Sequence, residues 1–237
     1  MSAFRPKANI QKSKILTHKI MFVFSMHFSQ LKLVCLFLLV LLTFLMMGCT
    51  TTNIPNNYTL PEDASVGIAT GSITYLSKCE QSGVYKVVVS NIETNNNYII
   101  TSGPWYRPVD DEIGVGWPFA IELPAGKYTI TGWEIQHGYA FLYSSSAISI
   151  PFSIEAGTVA YLGNFNFYET GHTLCAAKAA IVSLEDKSRR DISIIKKRHP
   201  ALNGIPLNYV IALNKKIDSI GGKGKFQAPP LLLPLNF

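Results

Sequence analysis

The chain has 237 residues, with 21 Lys and Arg against 15 Asp and Glu. The basic excess sits at one end: residues 1–48 hold six basic residues and no acidic one, so residues 49–237 balance at 15 of each sign. That balance argues against a nucleic-acid partner, which needs a basic stripe. A content of 48% hydrophobic and 11% aromatic residues excludes a chain disordered throughout.

Residues 33–47 read LVCLFLLVLLTFLMM, an uncharged apolar run behind Lys32. A basic lead, an apolar run and a small residue at its end form a secretory signal. The run is shorter than the roughly 20 apolar residues of a membrane span. Translation from Met26 instead of Met1 gives the more usual leader length.

The stretch LMMGC (45–49) resembles a bacterial lipobox. The resemblance implies cleavage after Gly48 and acylation of Cys49, with membrane lipid as the first partner. Met46 stands where that motif prefers Leu, and an uncleaved anchor with a chance Cys is the alternative. Thr50, in place of Asp, implies by the same resemblance the outer membrane, with the protein facing the periplasm.

Residues 49–65 are polar with two prolines and read as a flexible tether. A β-sandwich domain is expected over 66–213. In YKVVVSNI, Tyr85, Val87 and Val89 share a face. In AISIPFSI, Ile148, Ile150, Phe152 and Ile154 do, and Pro151 marks an edge. In TVAYLGNFNF the pattern groups Val159, Tyr161, Phe165 and Phe167 against Asn164 and Asn166. Such alternation predicts half-buried antiparallel strands. In KYTITGWEI the apolar phase changes between Ile130 and Trp133, which predicts a bulge at Gly132. Leu123–Gly126 and Ile154–Gly157 end alike in Ala-Gly and read as hairpin turns in a meander or sandwich.

Residues 188–199 (SRRDISIIKKRH) predict a short helix ended by Pro200, with Ser188 and Asp191 as a capping box, covering one edge of the sheet. Residues 214–237 contain GGKGK and end in PPLLLPLNF; they read as a flexible, apolar-ended tail. The overall expectation is a mainly β protein: an antiparallel β-sandwich with a short C-terminal helix, preceded by a signal segment and followed by that tail.

Cys79 and Cys175 are an even pair for an oxidising compartment and predict a disulfide; two buried free thiols are the alternative. The most distinctive stretch is GPWYRPVDDEIGVGWPF (103–119), read as a long loop. Trp105, Tyr106, Arg107 and Trp117 there are candidate anchors of a recognition surface for a protein or glycan; the plainer reading is that the tryptophans plug the end of the sandwich. His137, His172 and His199 share no ligand spacing, so no metal is expected, and no cofactor or catalytic residue is assigned.

The stretches LPAGKYTITGW and FSIEAGTVAYLGNF, followed by a strand and a helix ending in Pro, resemble uncharacterised bacterial lipoproteins with a prealbumin-like or carboxypeptidase-regulatory-like β-sandwich. The resemblance spans roughly residues 66–213. It implies a non-catalytic envelope domain that binds or scaffolds. An envelope hydrolase with a site at one end of the sandwich, and an assembly factor docking through its C-terminal tail, are the alternatives.

Overall fold

A computed structural model describes residues 53–61, 65–76, 83–102, 109–110, 114–173, 176–211 and 216–227. The chain divides into two units, Met1–Gly48 and Cys49–Phe237. Every described residue lies in the second. The strands are β1 (Val66–Leu76), β2 (Val84–Asn91), β3 (Asn97–Thr101), β4 (Val109–Asp110), β5 (Gly114–Pro124), β6 (Gly126–His137), β7 (Ala140–Tyr143), β8 (Ile150–Ile154), β9 (Val159–Thr173), β10 (Ala176–Glu185), β11 (Leu207–Tyr209) and β12 (Lys225–Gln227). A helix, α1 (Ser188–Arg198), and a 3-10 turn (Pro200–Gly204) separate β10 from β11.

The strands form two sheets, as the alternating pattern predicts. The first has the order β10-β9-β1-β5-β4, with β11 beside β9; the second has β12-β7-β6-β2-β3, with β8 beside β6. Their facing side chains make one core: Ala69, Ile73, Phe119, Ile121, Phe165 and Phe167 from the first meet Tyr85, Val87, Ile130, Trp133 and Ile135 from the second. The fold is therefore mainly β and sandwich-like.

The predicted bulge on β6 is present. Val88 pairs with Gly132 and Val89 with Ile130, leaving Thr131 as the extra residue. Tyr128, Ile130, Trp133 and Ile135 are all buried as a result. A second bulge interrupts β9, where Thr70 pairs with Tyr161 and Gly71 with Gly163, leaving Leu162 extra. It re-phases the strand and corrects the expected face. Ala160, Leu162, Phe165 and Phe167 point into the inter-sheet core. Val159 joins the cluster on the opposite face, and Tyr161 bonds to α1 there. Gly71 lies at this bulge with no room for a side chain: a Cβ there would fall 2.4 Å from the Gly163 carbonyl oxygen.

The two Ala-Gly turns are corners between sheets, not hairpins. One joins β5 of the first sheet to β6 of the second; the other joins β8 of the second to β9 of the first. Both settle on the start of β1, through Ala125 N–H to Ser65 O (2.8 Å) and Gly157 N–H to Val66 O (2.9 Å). Gly157 has φ 73°, the left-handed region that favours glycine. Because β1 and β9 both begin beside these corners, they run parallel. β11 is also parallel to β9. The sheets are thus not purely antiparallel, since a chain that leaves for the other sheet can re-enter beside an earlier strand in the same direction.

A further layer covers the outer face of the first sheet. Ile195 and Leu202 pack there on Ile68, Ala120 and Val159, together with Ile54. The helix therefore lies across a face and not along an edge. Its predicted capping box is absent: Asp186 Oδ1 accepts the Ser188 N–H (2.8 Å), while Asp191 is fully buried.

Both predicted flexible ends are partly folded. Ile54 is 6% exposed; its N–H donates to Ala120 O (2.8 Å), and Ala120 N–H donates to Asn53 Oδ1 (2.8 Å). Nearby, Tyr58 OH donates to Glu122. At the other end Ile217 bridges to Leu184, Trp133 Nε1–H donates to Ile220 O (2.7 Å), and β12 pairs with β7. The packed segments supply apolar side chains that the polar composition around them conceals. The apolar end, residues 228–237, lies outside the described residues.

Candidate functional site

The corners occupy one end of the sandwich. At the other end lie the close of β1 (Leu76), the start of β2 (Val84), the close of β3 (Thr101), the two-residue β4, the start of β5, and the β6–β7 and β9–β10 junctions, as the registers show. Four strands bring one polar cluster to the core here. Glu169 follows Phe165 and Phe167 at inward positions of β9, and its carboxylate is sealed from solvent. Glu169 Oε1 accepts from Tyr85 OH of β2 at 2.8 Å and meets His137 Nε2 of β6 at 2.8 Å. Tyr75 of β1 stacks on Tyr85 with centroids 4.1 Å apart. The His137 side chain is only 9% exposed. Gly83 seals its ring, since a Cβ there would sit 2.8 Å from His137 Cε1.

A buried carboxylate needs such partners, because an unpaired charge in the core is costly. This one ties β9 of the first sheet to β2 and β6 of the second. Chemically the trio can hold a proton between an imidazole and a carboxylate. Sequence reading missed Glu169, though extending the Phe165, Phe167 alternation by one step finds it.

Trp117 is not in a loop. It lies on β5 opposite Ile73 and is half-buried, which makes it part of the sandwich wall. Trp105, Tyr106 and Arg107 lie outside the described residues, as do Cys49, Cys79 and Cys175. Residues 103–108 nevertheless connect β3 to β4, whose flanking ends both lie at the Glu169 end. Residues 77–82 and 174–175, which hold Cys79 and Cys175, join strand ends at the same place. Exposed apolar groups that sequence reading did not select also gather here: Leu76 (59% exposed) beside Tyr168 (46%), and Tyr139 (84%) at the β6–β7 turn.

A second buried polar group lies beneath α1. Asp191 Oδ2 accepts from Ser72 Oγ (2.8 Å) and Tyr161 OH (2.9 Å). Its Oδ1 accepts from Arg190 Nε (2.8 Å). Burial, then the Asp191 charge, raises the Tyr161 phenol far above its ordinary value. A hollow of about 290 Å³ lined by Asp186 to Arg190 opens at the start of α1. Among the described residues no cluster of three or more His, Cys, Asp or Glu could hold a metal, and no helix is long and apolar enough to cross a membrane.

No family model matches the chain, and no curated protein matches it. Among solved structures, a leucine-rich repeat protein from Bacteroides thetaiotaomicron VPI-5482 is similar over 46% of this chain and 15% of its own, at 17% identity and a TM-score of 0.29. A likeness that low carries no argument about this chain.

Proposed function

We propose that the chain is a lipoprotein of the bacterial envelope, anchored through acylated Cys49, whose sandwich is a non-catalytic binding or scaffolding module for a protein or glycan. The leader, the LMMGC stretch and the charge balance of residues 49–237 support the anchor. A Cys79–Cys175 disulfide belongs to the same reading. One observation carries the binding surface: the connections holding Cys79, Trp105–Arg107 and Cys175 all join strand ends that meet over the Glu169–His137–Tyr85 cluster. Connections between strands of a rigid scaffold are where binding residues are most often carried.

The test is crosslinking in intact cells from a photoreactive residue at position 105, 106 or 107, with position 127 on the second sheet as control. A discrete adduct from the loop alone supports the module. Equal labelling from loop and control rejects the surface. Intact mass tests the anchor: residues 49–237 plus acyl chains, with two thiols appearing only after reduction, is the expected result.

The hydrolase reading has one observation in its favour, the His137–Glu169 pair, since a carboxylate that orients an imidazole is the arrangement of a general base. It requires a turnover against esters or glycosides that His137→Ala abolishes.

A further inference from the structure

We infer that the outer face of the second sheet carries a binding row for an extended, neutral β-1,4-linked glycan, built on Tyr139, Phe141 and Tyr143. The row stands apart from residues 103–108 and needs neither the anchor nor the disulfide of the reading above. It comes from the sequence GYAFLY (138–143). Along β7, Leu142 points into the inter-sheet core, so Phe141 and Tyr143 point away from it. Both are half-buried. Their rings lie within 10° of parallel with centroids 6.1 Å apart, so both are turned the same way. Tyr139, at the turn that leads into the strand, is 84% exposed. The solvent side of an antiparallel strand is ordinarily polar, and aromatic groups at successive outward positions mark an interaction surface.

The neighbouring strands give the row its chemistry. Opposite Phe141 stand Gln136 of β6 and Gln227 of β12; opposite Tyr143 stand Glu134 and Lys225. Each ring therefore has a long polar side chain on either side. Two of these are held in place. Lys86 Nζ donates to Glu134 Oε1 (2.6 Å) and Gln136 Oε1 (3.0 Å), and Gln136 Nε2 donates to the Gly138 carbonyl (3.2 Å). Among the described residues nothing donates to Glu134 Oε2, which leaves a fixed acceptor beside Tyr143. A pyranose has an apolar C–H face bounded by an edge of hydroxyls. The rings take the C–H face, and the carboxylate, amides and ammonium beside them take the hydroxyls. Flanked this way, the rings do not merge into the broad apolar core of a protein-docking patch. A carboxylate beside them disfavours an anionic chain. The row is straight because it follows a strand, which suits an extended glycan over a coiled one.

The experiment is isothermal titration of the full chain, in a zwitterionic detergent without sugar groups, with cellohexaose, chitohexaose and the coiled, α-linked maltohexaose. The expected result is binding of a β-1,4-linked hexamer at least about tenfold tighter than maltohexaose. Tyr139→Ala, Phe141→Ala and Tyr143→Ala should each weaken it at least about fivefold. Tyr209→Ala, at a tyrosine 62% exposed on the first sheet, should leave it unchanged. Tyr139 is exposed enough that its replacement leaves the core intact, and saturation transfer from aromatic protons to sugar C–H protons in the unmutated chain gives a second readout. No binding of either β-1,4-linked hexamer overturns the row and leaves the loop surface to its own crosslinking test. A discrete protein adduct from a photoreactive residue at position 139, without hexamer binding, makes the row a protein contact and also overturns it. Binding that survives the three variants rejects the row; if Trp105→Ala then abolishes it, the glycan belongs to the loops of the reading above.

Discussion

Replacing Asp191 by Ala tests whether one buried carboxylate holds the helix on the first sheet. The side chain is fully buried and accepts from Ser72, Tyr161 and Arg190 at 2.8–2.9 Å. Alanine leaves two hydroxyl donors and a guanidinium without their acceptor. Hydrogen bonds to a charged group contribute about 1.5–3 kcal/mol each, and breaking a buried charged set costs about 3–5 kcal/mol. Ser72 Oγ keeps its donors Asn164 and Arg190, and Arg190 is partly exposed, so the loss should lie in the middle of that range, about 4 kcal/mol. That is a large share of the ~5–15 kcal/mol typical of a folded domain. Asp191→Asn keeps the shape but turns one acceptor into a donor facing donors, so it should cost nearly as much. Tyr161→Phe removes one of the bonds and strands the Lys187 N–H that its hydroxyl accepts (3.1 Å); about 2 kcal/mol is expected. Asp191→Ala in the Tyr161→Phe background should cost less than in the wild type, because one donor is already gone. The assay is equilibrium urea unfolding in detergent followed by tryptophan fluorescence, with hydrogen exchange of the α1 amides. A loss under about 1 kcal/mol for Asp191→Ala, with additive double-mutant energies, would refute the argument.

At the loop-bearing end, Tyr85→Phe should destabilise by about 1.5–3 kcal/mol through the lost bond to Glu169, and Glu169→Leu by more, because it also strands His137; urea midpoints decide. Gly71→Ala forces a Cβ against the Gly163 carbonyl and the Phe119 ring, so a loss of about 1–3 kcal/mol is expected in the same assay, and an unchanged midpoint would mean the bulge yields. Tyr58 and Tyr161 both ionise well above 10.0 in the folded chain, through burial first and then Glu122 and Asp191 respectively. The unfolded chain releases those protons first as pH rises past about 10, so stability should be full below that value and fall above it. Absorbance titration of phenolate checks the order, and ionisation of every tyrosine near pH 10 before unfolding would contradict it. Burial, aided by Arg198, holds His199 below 6.5. The unfolded state then takes up the proton first as pH falls, so stability should decline below about pH 6.5, with a shallower slope in His199→Gln; identical slopes would place His199 outside the packed face.

The sheet-forming residues announced themselves because a strand repeats every two residues. Tyr85, Val87 and Val89 needed nothing beyond that period, and the phase change between Ile130 and Trp133 revealed the bulge on β6. The apolar run, Gly48 and Cys49 are likewise local signals, and the expected anchor rests on them alone. Other features depend on which strands become neighbours, and a one-dimensional pattern does not carry that. The Ala-Gly turns have hairpin chemistry, yet each serves a corner, because β5 finds β1 and β8 finds β6 as antiparallel partners instead of the strand that follows each turn. The bulge at Leu162 has no apolar phase change to betray it, since Tyr161 is buried on whichever side α1 covers. Asp191 has the spacing of a cap but becomes a buried acceptor once Ser72 and Tyr161 lie beneath it. Glu169, His137 and Tyr85 are separated by 84 residues at the widest pair. They meet only because β9 crosses back into the first sheet opposite β2 and β6, which is a decision of tertiary packing and not of local propensity.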